Sequence, residues 1–291
     1  MLVFFCKWLS KLPLSYVHRL GAVIGRLSWH LDQKSTGIAI ENIHQSRLCK
    51  DKAAVQQLAK DSRIEAGKSL MESLFIWGAP QSGLLPLVKA TTGWHLVEAA
   101  QRAGKGLIFL TPHLGCFEIT SIYYGSQHPI TVLYRPPKLT WLEGLLQEGR
   151  QKGQVALAPA NAAGVKKLLQ ALKRGEAIGI LPDQIPRNGE GEWADFFGKP
   201  AYTMGLASKL AVKSGATVIM AFGERLPAGE GFHIHLSKVE DIQTPALLNQ
   251  AIERQVSQCP VQYLWQYNRY KQRRYAMQKL QPKQSGMEDE H

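Results

Sequence analysis

Acidic residues are absent from both ends of this sequence. None occurs between Met1 and Leu31, and none occurs between Arg254 and Met287. The chain of 291 residues nevertheless has a formal net charge of +12, because basic residues are spread along its whole length. Such a charge attracts anionic partners over long range, and the candidates are a membrane surface, a nucleic acid or an acidic protein.

Cysteines are few and dispersed. The four of them, Cys6, Cys49, Cys116 and Cys259, have no paired spacing, so a disulfide-stapled secreted domain is excluded and a reducing compartment is expected. Cys116 follows His113 by three residues, which raises the alternative of a Cys–His hydrolase. A cysteine at an apolar helix start is more often inert packing, and we therefore do not favour this alternative.

Long apolar runs are also missing. No stretch reaches the roughly 20 consecutive apolar residues that a membrane-spanning helix needs, and no apolar core with a cleavage site marks a signal peptide. Residues 1–31 instead interleave aromatic and aliphatic side chains with Lys7, Lys11, Arg19 and Arg26. This pattern predicts an amphipathic segment that lies in a membrane interface. The alternatives are a helix packed on the domain with a solvated basic face, and a tilted span with snorkelling side chains.

The rest of the chain alternates short apolar runs with amphipathic helical patterns. The predicted strands are residues 106–110, 130–134, 155–157, 178–181, 217–222 and 232–239. The predicted helices include 94–103, 141–152, 162–174, 202–214 and 247–257, whereas 187–200 is predicted as loop. This alternation indicates an α/β fold with one mixed central sheet flanked by helices. We divide the chain into a membrane-associating segment (1–31), one main domain (32–280) and a polar tail (281–291).

The most informative stretch joins the apolar run at residues 107–110 to a histidine and a carboxylate. Thr111 and Pro112 end this strand, so His113 lies at its carboxyl end, where open α/β sheets bind their ligands. Glu118 follows five residues later, and in one continuous helix the two side chains would point about 140° apart. They can meet only if His113 lies in the turn and Glu118 in the first turn of the next helix. We therefore predict a general base, His113, that Glu118 orients.

Two more predicted strands end in a polar residue beside proline. Arg135 follows the strand at 130–134, and Asp183 follows the strand at 178–181. Together with His113 they predict a single active-site rim. Arg135 is interpreted as a contact to a phosphate or thioester oxygen, with a plain surface arginine as the alternative. Asp183 is interpreted as positioning Arg135 or the acceptor, with a turn or helix cap as the alternative.

Metal ions and nucleic acid are ligands that the sequence does not favour. His113 and Cys116 lack a second ligand pair, while His233 and His235 are expected to share one face of a strand without binding metal. The window from Arg254 to Met287 interleaves basic and aromatic residues, which also suits single-stranded nucleic acid. No recognition motif of that class is visible, so an anionic lipid interface is preferred.

Five blocks of the sequence resemble the late acyltransferases of lipid A biosynthesis, within the glycerolipid and lysophospholipid acyltransferase superfamily. His113 and Glu118 match its His-X4-Asp/Glu motif. The other blocks are Leu133-Tyr134-Arg135-Pro136, Leu181-Pro182-Asp183-Gln184, residues 193–198 and residues 263–270. The resemblance covers nearly the whole chain. It departs at the amino end, where many relatives have a clear spanning helix and this chain has a short segment broken by Pro13.

The resemblance implies transfer of a fatty acyl chain from acyl-acyl carrier protein to a hydroxyl of an acyl chain on the Kdo-bearing lipid A precursor. It places this reaction at the cytoplasmic face of a Gram-negative inner membrane, without a metal or redox cofactor. His113 and Glu118 would form the catalytic dyad. Substrate or transition-state contacts would come from Arg135, Asp183, Gln184 and Arg269. The acidic carrier protein and the anionic lipid would both be attracted to a chain of charge +12.

Two alternatives remain open at this stage. The first is an acyltransferase of the same fold that acts on a lysophospholipid, an ornithine-type lipid or a glycolipid. The second is a non-enzymic protein that binds membranes or nucleic acid. Only the blocks around Asp183 and after residue 193 argue against the first of these, and they do so by resemblance alone.

Overall fold

The computed structural model describes residues 2–137 and 142–271. The predicted polar tail, and the end of the basic window that begins at Arg254, lie outside these residues. The α-helices are α1 (Leu2–Leu9), α2 (Leu14–Leu31), α3 (Gln33–Ser46), α4 (Lys52–Gly78), α5 (Gln81–Leu84), α6 (Trp94–Ala103), α7 (Phe117–Tyr124), α8 (Glu143–Arg150), α9 (Ala162–Lys173), α10 (Leu206–Ser214) and α11 (Pro245–Val256). The strands are β1 (Val88–Thr92), β2 (Leu107–Leu110), β3 (Ile130–Tyr134), β4 (Val155–Pro159), β5 (Ala177–Ile180), β6 (Gly191–Phe196), β7 (Lys199–Met204), β8 (Thr217–Arg225) and β9 (Phe232–Val239). Short 3₁₀ helices lie at Leu85–Leu87, Pro227–Gly229 and Pro260–Gln262.

A seven-stranded mixed sheet forms the centre, in the order β1-β9-β8-β2-β5-β3-β4. Strand β2 pairs in parallel with β5 on one side and β8 on the other, and both β2 and β5 are buried along their whole length. A fully buried parallel strand needs side chains that are apolar on both faces, which explains the uninterrupted apolar run at Leu107–Leu110. Strand β9 pairs antiparallel with β8, so the sheet is mixed, as predicted.

The two faces of the sheet pack into different hydrophobic clusters, because alternate residues of a strand point to opposite sides. Ile108 and Leu110 of β2 belong to the cluster shared with helices α9, α10 and α11. Leu107 and Phe109 belong to the second cluster, shared with helices α6 and α8. Helices therefore cover both faces, and the prediction of a mixed sheet flanked by helices is confirmed.

Helices α2 and α4 pack at very short range because glycines line their contact. A Cβ atom added to Gly21 would lie 2.5 Å from the Cα of Lys68, and one added to Gly67 would lie 2.2 Å from the carbonyl oxygen of Gly21. This packing leaves the outer sides of α1 and α2 in solvent, where Phe4 is 78% exposed and Leu31 is 81% exposed. Within residues 2–137 and 142–271 no helix has both the length and the apolar character needed to cross a bilayer.

The prediction of a loop at residues 187–200 is wrong from residue 191 onward. Strands β6 and β7 form an antiparallel hairpin there, and the predicted helix from residue 202 begins only at α10, after β7 ends. Phe197 and Gly198 both have positive φ, at 49° and 71°, which is the backbone of a type I′ two-residue turn. The glycine and charged residues of this segment obscured an alternating pattern that places Trp193 opposite Tyr202.

Candidate active site

His113 lies between β2 and α7, and backbone hydrogen bonds hold its turn against neighbouring chain segments. The N–H of Cys116 donates to the carbonyl oxygen of Gly223 over 2.7 Å, and the N–H of Leu264 donates to the carbonyl oxygen of His113 over 3.0 Å. Gly115 has a φ of +61°, and a Cβ there would lie only 2.1 Å from the Gly223 oxygen. Only glycine satisfies both conditions, so the backbone itself fixes the position of His113.

Asp183 is the carboxylate that orients the imidazole. Its Oδ1 lies 2.8 Å from Nδ1 of His113, and its Oδ2 accepts the backbone N–H of His113 over 2.9 Å. The two residues come together because β2 and β5 are adjacent and parallel, so both follow strands that end at the same edge of the sheet. Asp183 is 3% exposed. Burial alone would raise the pKa of its carboxyl group, but the charge and hydrogen bonds of His113 outweigh burial and lower it.

The second ring nitrogen of His113 is left for other partners. Gln184 Nε2 lies 3.1 Å from His113 Nε2. A carboxylate on Nδ1 favours the tautomer with its proton on that nitrogen, and Nε2 then carries the free lone pair. An imidazole held in this way can accept a proton at Nε2.

Glu118 lies in the first turn of α7, as predicted, but its carboxylate is paired with Arg150 and not with His113, so the predicted contact is not confirmed. Its carboxylate accepts hydrogen bonds from Nε of Arg150 at 3.0 and 2.9 Å and also binds Nη2 of that residue. The described chain forms no hydrogen bond between Glu118 and His113. Glu118 is 4% exposed, and a carboxylate this deeply buried needs its own cation. Burial would lower the pKa of Arg150, but Glu118 raises it above its ordinary value.

A cavity of about 280 Å³ opens beside His113 and the ion pair of Glu118 and Arg150. Its polar lining includes His113, Glu118, Arg135, Arg150 and Gln184. Its walls are mainly apolar and include Trp94, Phe109, Tyr124, Val132, Leu157 and Leu236. An apolar pocket with a few convergent polar groups is the usual form of a small-molecule site. This one can take up a hydrocarbon chain and place its polar end against His113.

Three of the predicted contact residues belong to this site. Arg135 lines the cavity with an exposed side chain, and its guanidinium has no hydrogen-bond or ion-pair partner within the described residues. Gln184 lines the cavity too. Asp183 lies behind His113 and contacts the histidine, where the sequence predicted a contact to Arg135 or the acceptor.

Arg269 is not brought into the cavity. Its side chain is buried, with Nη1 donating to the carbonyl oxygen of Tyr202 over 2.8 Å and Nη2 donating to Oγ1 of Thr203 over 2.7 Å. The guanidinium therefore ties the segment after α11 to β7. This geometry does not support the predicted contact between Arg269 and a substrate.

Cys116 does not form a Cys–His pair. It is buried in a hydrophobic cluster with Ile119 and Ile122, and burial raises the pKa of its thiol well above the ordinary value. The thiol therefore stays protonated and is a poor nucleophile. This geometry removes the hydrolase alternative.

Arg150 is the site residue that sequence reasoning missed. It lies 32 positions after Glu118, at the end of an ordinary amphipathic helix, and no local spacing joins the two. The sequence signal for such a residue is Glu118 itself, which follows an apolar helix start. A carboxylate in that position is expected to be buried, and a buried charge requires a partner. That signal predicts a cation without identifying it.

Comparison with known proteins gives one consistent result. The family described as Bacterial lipid A biosynthesis acyltransferase matches residues 1–272. The Lipid A biosynthesis lauroyltransferase of Escherichia coli (strain K12) is 25% identical over 281 residues, which cover 91% of this chain and 89% of that protein. The Lipid A biosynthesis palmitoleoyltransferase of the same organism is 24% identical over 277 residues, with the same coverage of both chains. A Lipid A biosynthesis acyltransferase of Haemophilus influenzae is 30% identical over 183 residues, or 60% of this chain and 56% of that protein.

Proposed function

Since the chain belongs to the bacterial lipid A biosynthesis acyltransferase family, we propose that this acyltransferase uses acyl-acyl carrier protein as donor. The acceptor in this proposal is a hydroxyl of an acyl chain on the Kdo-bearing lipid A precursor. One observation carries the proposal: Nε2 of His113 faces a largely apolar cavity, while Asp183 holds Nδ1 at 2.8 Å. The donor thioester and the acceptor hydroxyl both end hydrocarbon chains, which suits such a cavity.

His113 acts as the general base in this mechanism. The acceptor hydroxyl takes the position beside Nε2 that Gln184 occupies, and it gives its proton to Nε2 as its oxygen attacks the thioester carbon. Asp183 holds the imidazole in the required tautomer and stabilises the imidazolium that forms. The carrier thiolate then leaves and recovers a proton from His113, so the enzyme ends the cycle unchanged.

Two arginines supply positive charge to the cavity. Arg135 stabilises the negative oxygen that develops on the thioester carbonyl, because it lines the cavity and has no other partner in the described chain. Glu118 acts through Arg150, since it holds this guanidinium in the cavity wall. Glu118 is thus a positioning residue, and the direct dyad of the sequence prediction is replaced by His113 and Asp183.

The outer faces of α1 and α2 lie on an anionic membrane surface, in our proposal the cytoplasmic face of the inner membrane. Tyr16, Leu20, Val23 and Leu27 recur at helical spacing along α2, and all are exposed. Leu31 continues the same face. An apolar helix face in a segment that is basic and contains no acidic residue, as residues 1–31 are, is typical of interfacial binding. The acidic carrier protein and the anionic lipid precursor are attracted by the same net charge, and no role for nucleic acid is needed.

Lipid analysis tests the proposed acceptor. Mass spectrometry of lipid A from a strain that lacks this chain should show the loss of one secondary acyl chain, and expression of the wild-type chain should restore it. Expression of His113→Ala should not restore it. Intact lipid A together with altered phospholipids would contradict the proposal and favour a different acceptor.

A further inference from the structure

A cluster of three ionisable side chains lies away from the cavity, where β8 and β9 pair. Glu224 of β8 stands directly opposite His233 of β9 in the antiparallel register, and His235 follows two residues along the same strand. Residues two apart on a strand share a face, so all three side chains project to the same side of the sheet. The sequence predicted the shared face of the two histidines, but it could not show the carboxylate across the strand.

The ligand atoms of these side chains converge. One potential ligand atom from each residue lies within 4.8 Å of the other two. Nε2 of His235 is 2.7 Å from Oε2 of Glu224, and the ring centroids of His233 and His235 are 4.0 Å apart. Two imidazoles and one carboxylate form one of the known three-residue ligand sets for zinc, in which water completes the tetrahedron.

The cluster is partly exposed to solvent. The Glu224 side chain is 37% exposed and that of His235 is 25% exposed, so an ion can enter from solvent. Thr92 is a further polar neighbour, whose hydroxyl lies 2.7 Å from Nε2 of His233 and can turn to a bound water.

This cluster is separate from the acyl-transfer site. Ile234 and Leu236 alternate with the two histidines along β9, and both line the cavity on the opposite face of the sheet. Phe222, which belongs to the cluster packed on the face away from the cavity, stacks on the His235 ring at 4.7 Å. The sheet itself therefore lies between the cluster and the reacting groups.

We propose that Glu224, His233 and His235 bind one divalent transition-metal ion of the zinc class, with solvent at its remaining position. The ion links β8 to β9, the one pair in which the direction of the central sheet reverses. Its role is to stabilise that pairing and not to take part in acyl transfer.

Calorimetric titration of the chelator-treated, full-length protein with ZnCl₂ tests the site. The wild type should bind one Zn²⁺ per chain, and this event should be lost in His233→Ala and in His235→Ala. Glu224→Gln, which keeps the side-chain shape, should bind at least about tenfold more weakly. The control His44→Ala removes an exposed helical histidine and should bind like the wild type. Circular dichroism of the metal-free variants confirms that each one folds.

The half-buried thiols of Cys49 and Cys259 are the competing ligands that the experiment must separate. A variant with Cys49→Ser and Cys259→Ser should retain the one-ion event. Binding that survives both histidine variants and disappears in the cysteine variant would overturn the proposal, and so would a wild type that binds no zinc. A thermal-unfolding midpoint that rises with added zinc in the wild type, and not in His235→Ala, would support it.

Discussion

Two histidine–carboxylate pairs in this molecule have similar nitrogen–oxygen distances and different surroundings. Between α2 and α4, Nε2 of His18 lies 2.6 Å from Oε1 of Glu72, and at the cavity Nδ1 of His113 lies 2.8 Å from Oδ1 of Asp183. Glu72 is also bound by Arg225, whose guanidinium is itself fully buried.

The two pairs differ in the surroundings of the imidazole and in the other partners of the carboxylate. His18 is buried between α2 and α4, and its carboxylate is shared with a permanent cation. His113 has one nitrogen on a buried carboxylate and the other at the cavity. A histidine–carboxylate pair is therefore evidence for catalysis only where an open pocket meets the free nitrogen.

Replacing each histidine by alanine is the strongest test of this comparison. His113→Ala removes the proposed general base and should lower kcat for acyl transfer by about 10²- to 10⁴-fold, with little change in folding. His18→Ala should have the opposite pattern. It should lower the free energy of unfolding, whereas the folded protein should keep its specific activity. Initial rates per folded molecule, with urea unfolding of both variants, give the measurement. Near wild-type transfer by His113→Ala would remove the proposed base.

The next largest effect is expected at the buried pair of Glu72 and Arg225. Glu72→Gln leaves Arg225 buried with Glu65 as its remaining anionic partner among the described residues, and should lower the free energy of unfolding by about 3 kcal/mol. The matched control is Glu240→Gln, because Glu240 is exposed and pairs with exposed Lys238. This control should lower the free energy of unfolding by less than about 1 kcal/mol. Equal losses in the two variants would contradict the structural assignment of the buried pair.

Asp183→Asn tests the orienting role at the cavity. The amide keeps the size of the side chain but no longer stabilises an imidazolium, so kcat should fall by about 10²-fold while KM changes little. A merely structural role would lower kcat to the same extent in Asp183→Asn and in Asp183→Glu. A carboxylate that orients the imidazole should instead let Asp183→Glu recover part of the rate. Equal rates for the two variants would argue against this role.

Acid sensitivity is the smallest expected effect and applies to both pairs. Burial alone would raise the pKa of Asp183 and Glu72, but His113 lowers the first, and Arg225 with His18 lowers the second. Both carboxyls thus bind fewer protons in the folded state than in the unfolded chain. Their contribution to stability is complete above the ordinary carboxyl pKa of about 4 and is lost as pH falls through the lowered folded values.

Unfolding in urea at pH 7, 5, 4 and 3 measures this dependence. Asp183→Asn and Glu72→Gln should each be less stable than the wild type at pH 7, and the difference should shrink toward pH 3. A difference that stays constant over this range would show that the two carboxyls are not the source of the acid sensitivity.

Local patterns were enough to predict much of the fold and part of the site. The apolar run before Thr111 and Pro112 correctly places His113 in a turn and Glu118 in the first turn of a helix. Alternation of strands and helices predicts the mixed sheet. The hairpin of β6 and β7 was missed because Phe197 has a positive φ, a conformation that its residue type does not indicate.

The partners of the charged groups could not be predicted, for a physical reason. Asp183 lies 70 positions after His113, and Arg150 lies 32 positions after Glu118. Such contacts depend on which strands become neighbours and on which helix covers them, and no local periodicity encodes that information. The parallel order of strands at the sheet edge is what selects Asp183 over Glu118 as the partner of His113.

The close contact between Gly115 and Gly223 has a consequence for how this enzyme can diversify. Main-chain atoms fix the position of His113, the proposed general base. Side chains such as Leu157 and Leu236 line the cavity and, in our proposal, limit how far a hydrocarbon tail can extend. Wall substitutions can thus retune the preferred tail length while the reactive centre keeps its alignment, so selectivity and chemistry can evolve independently.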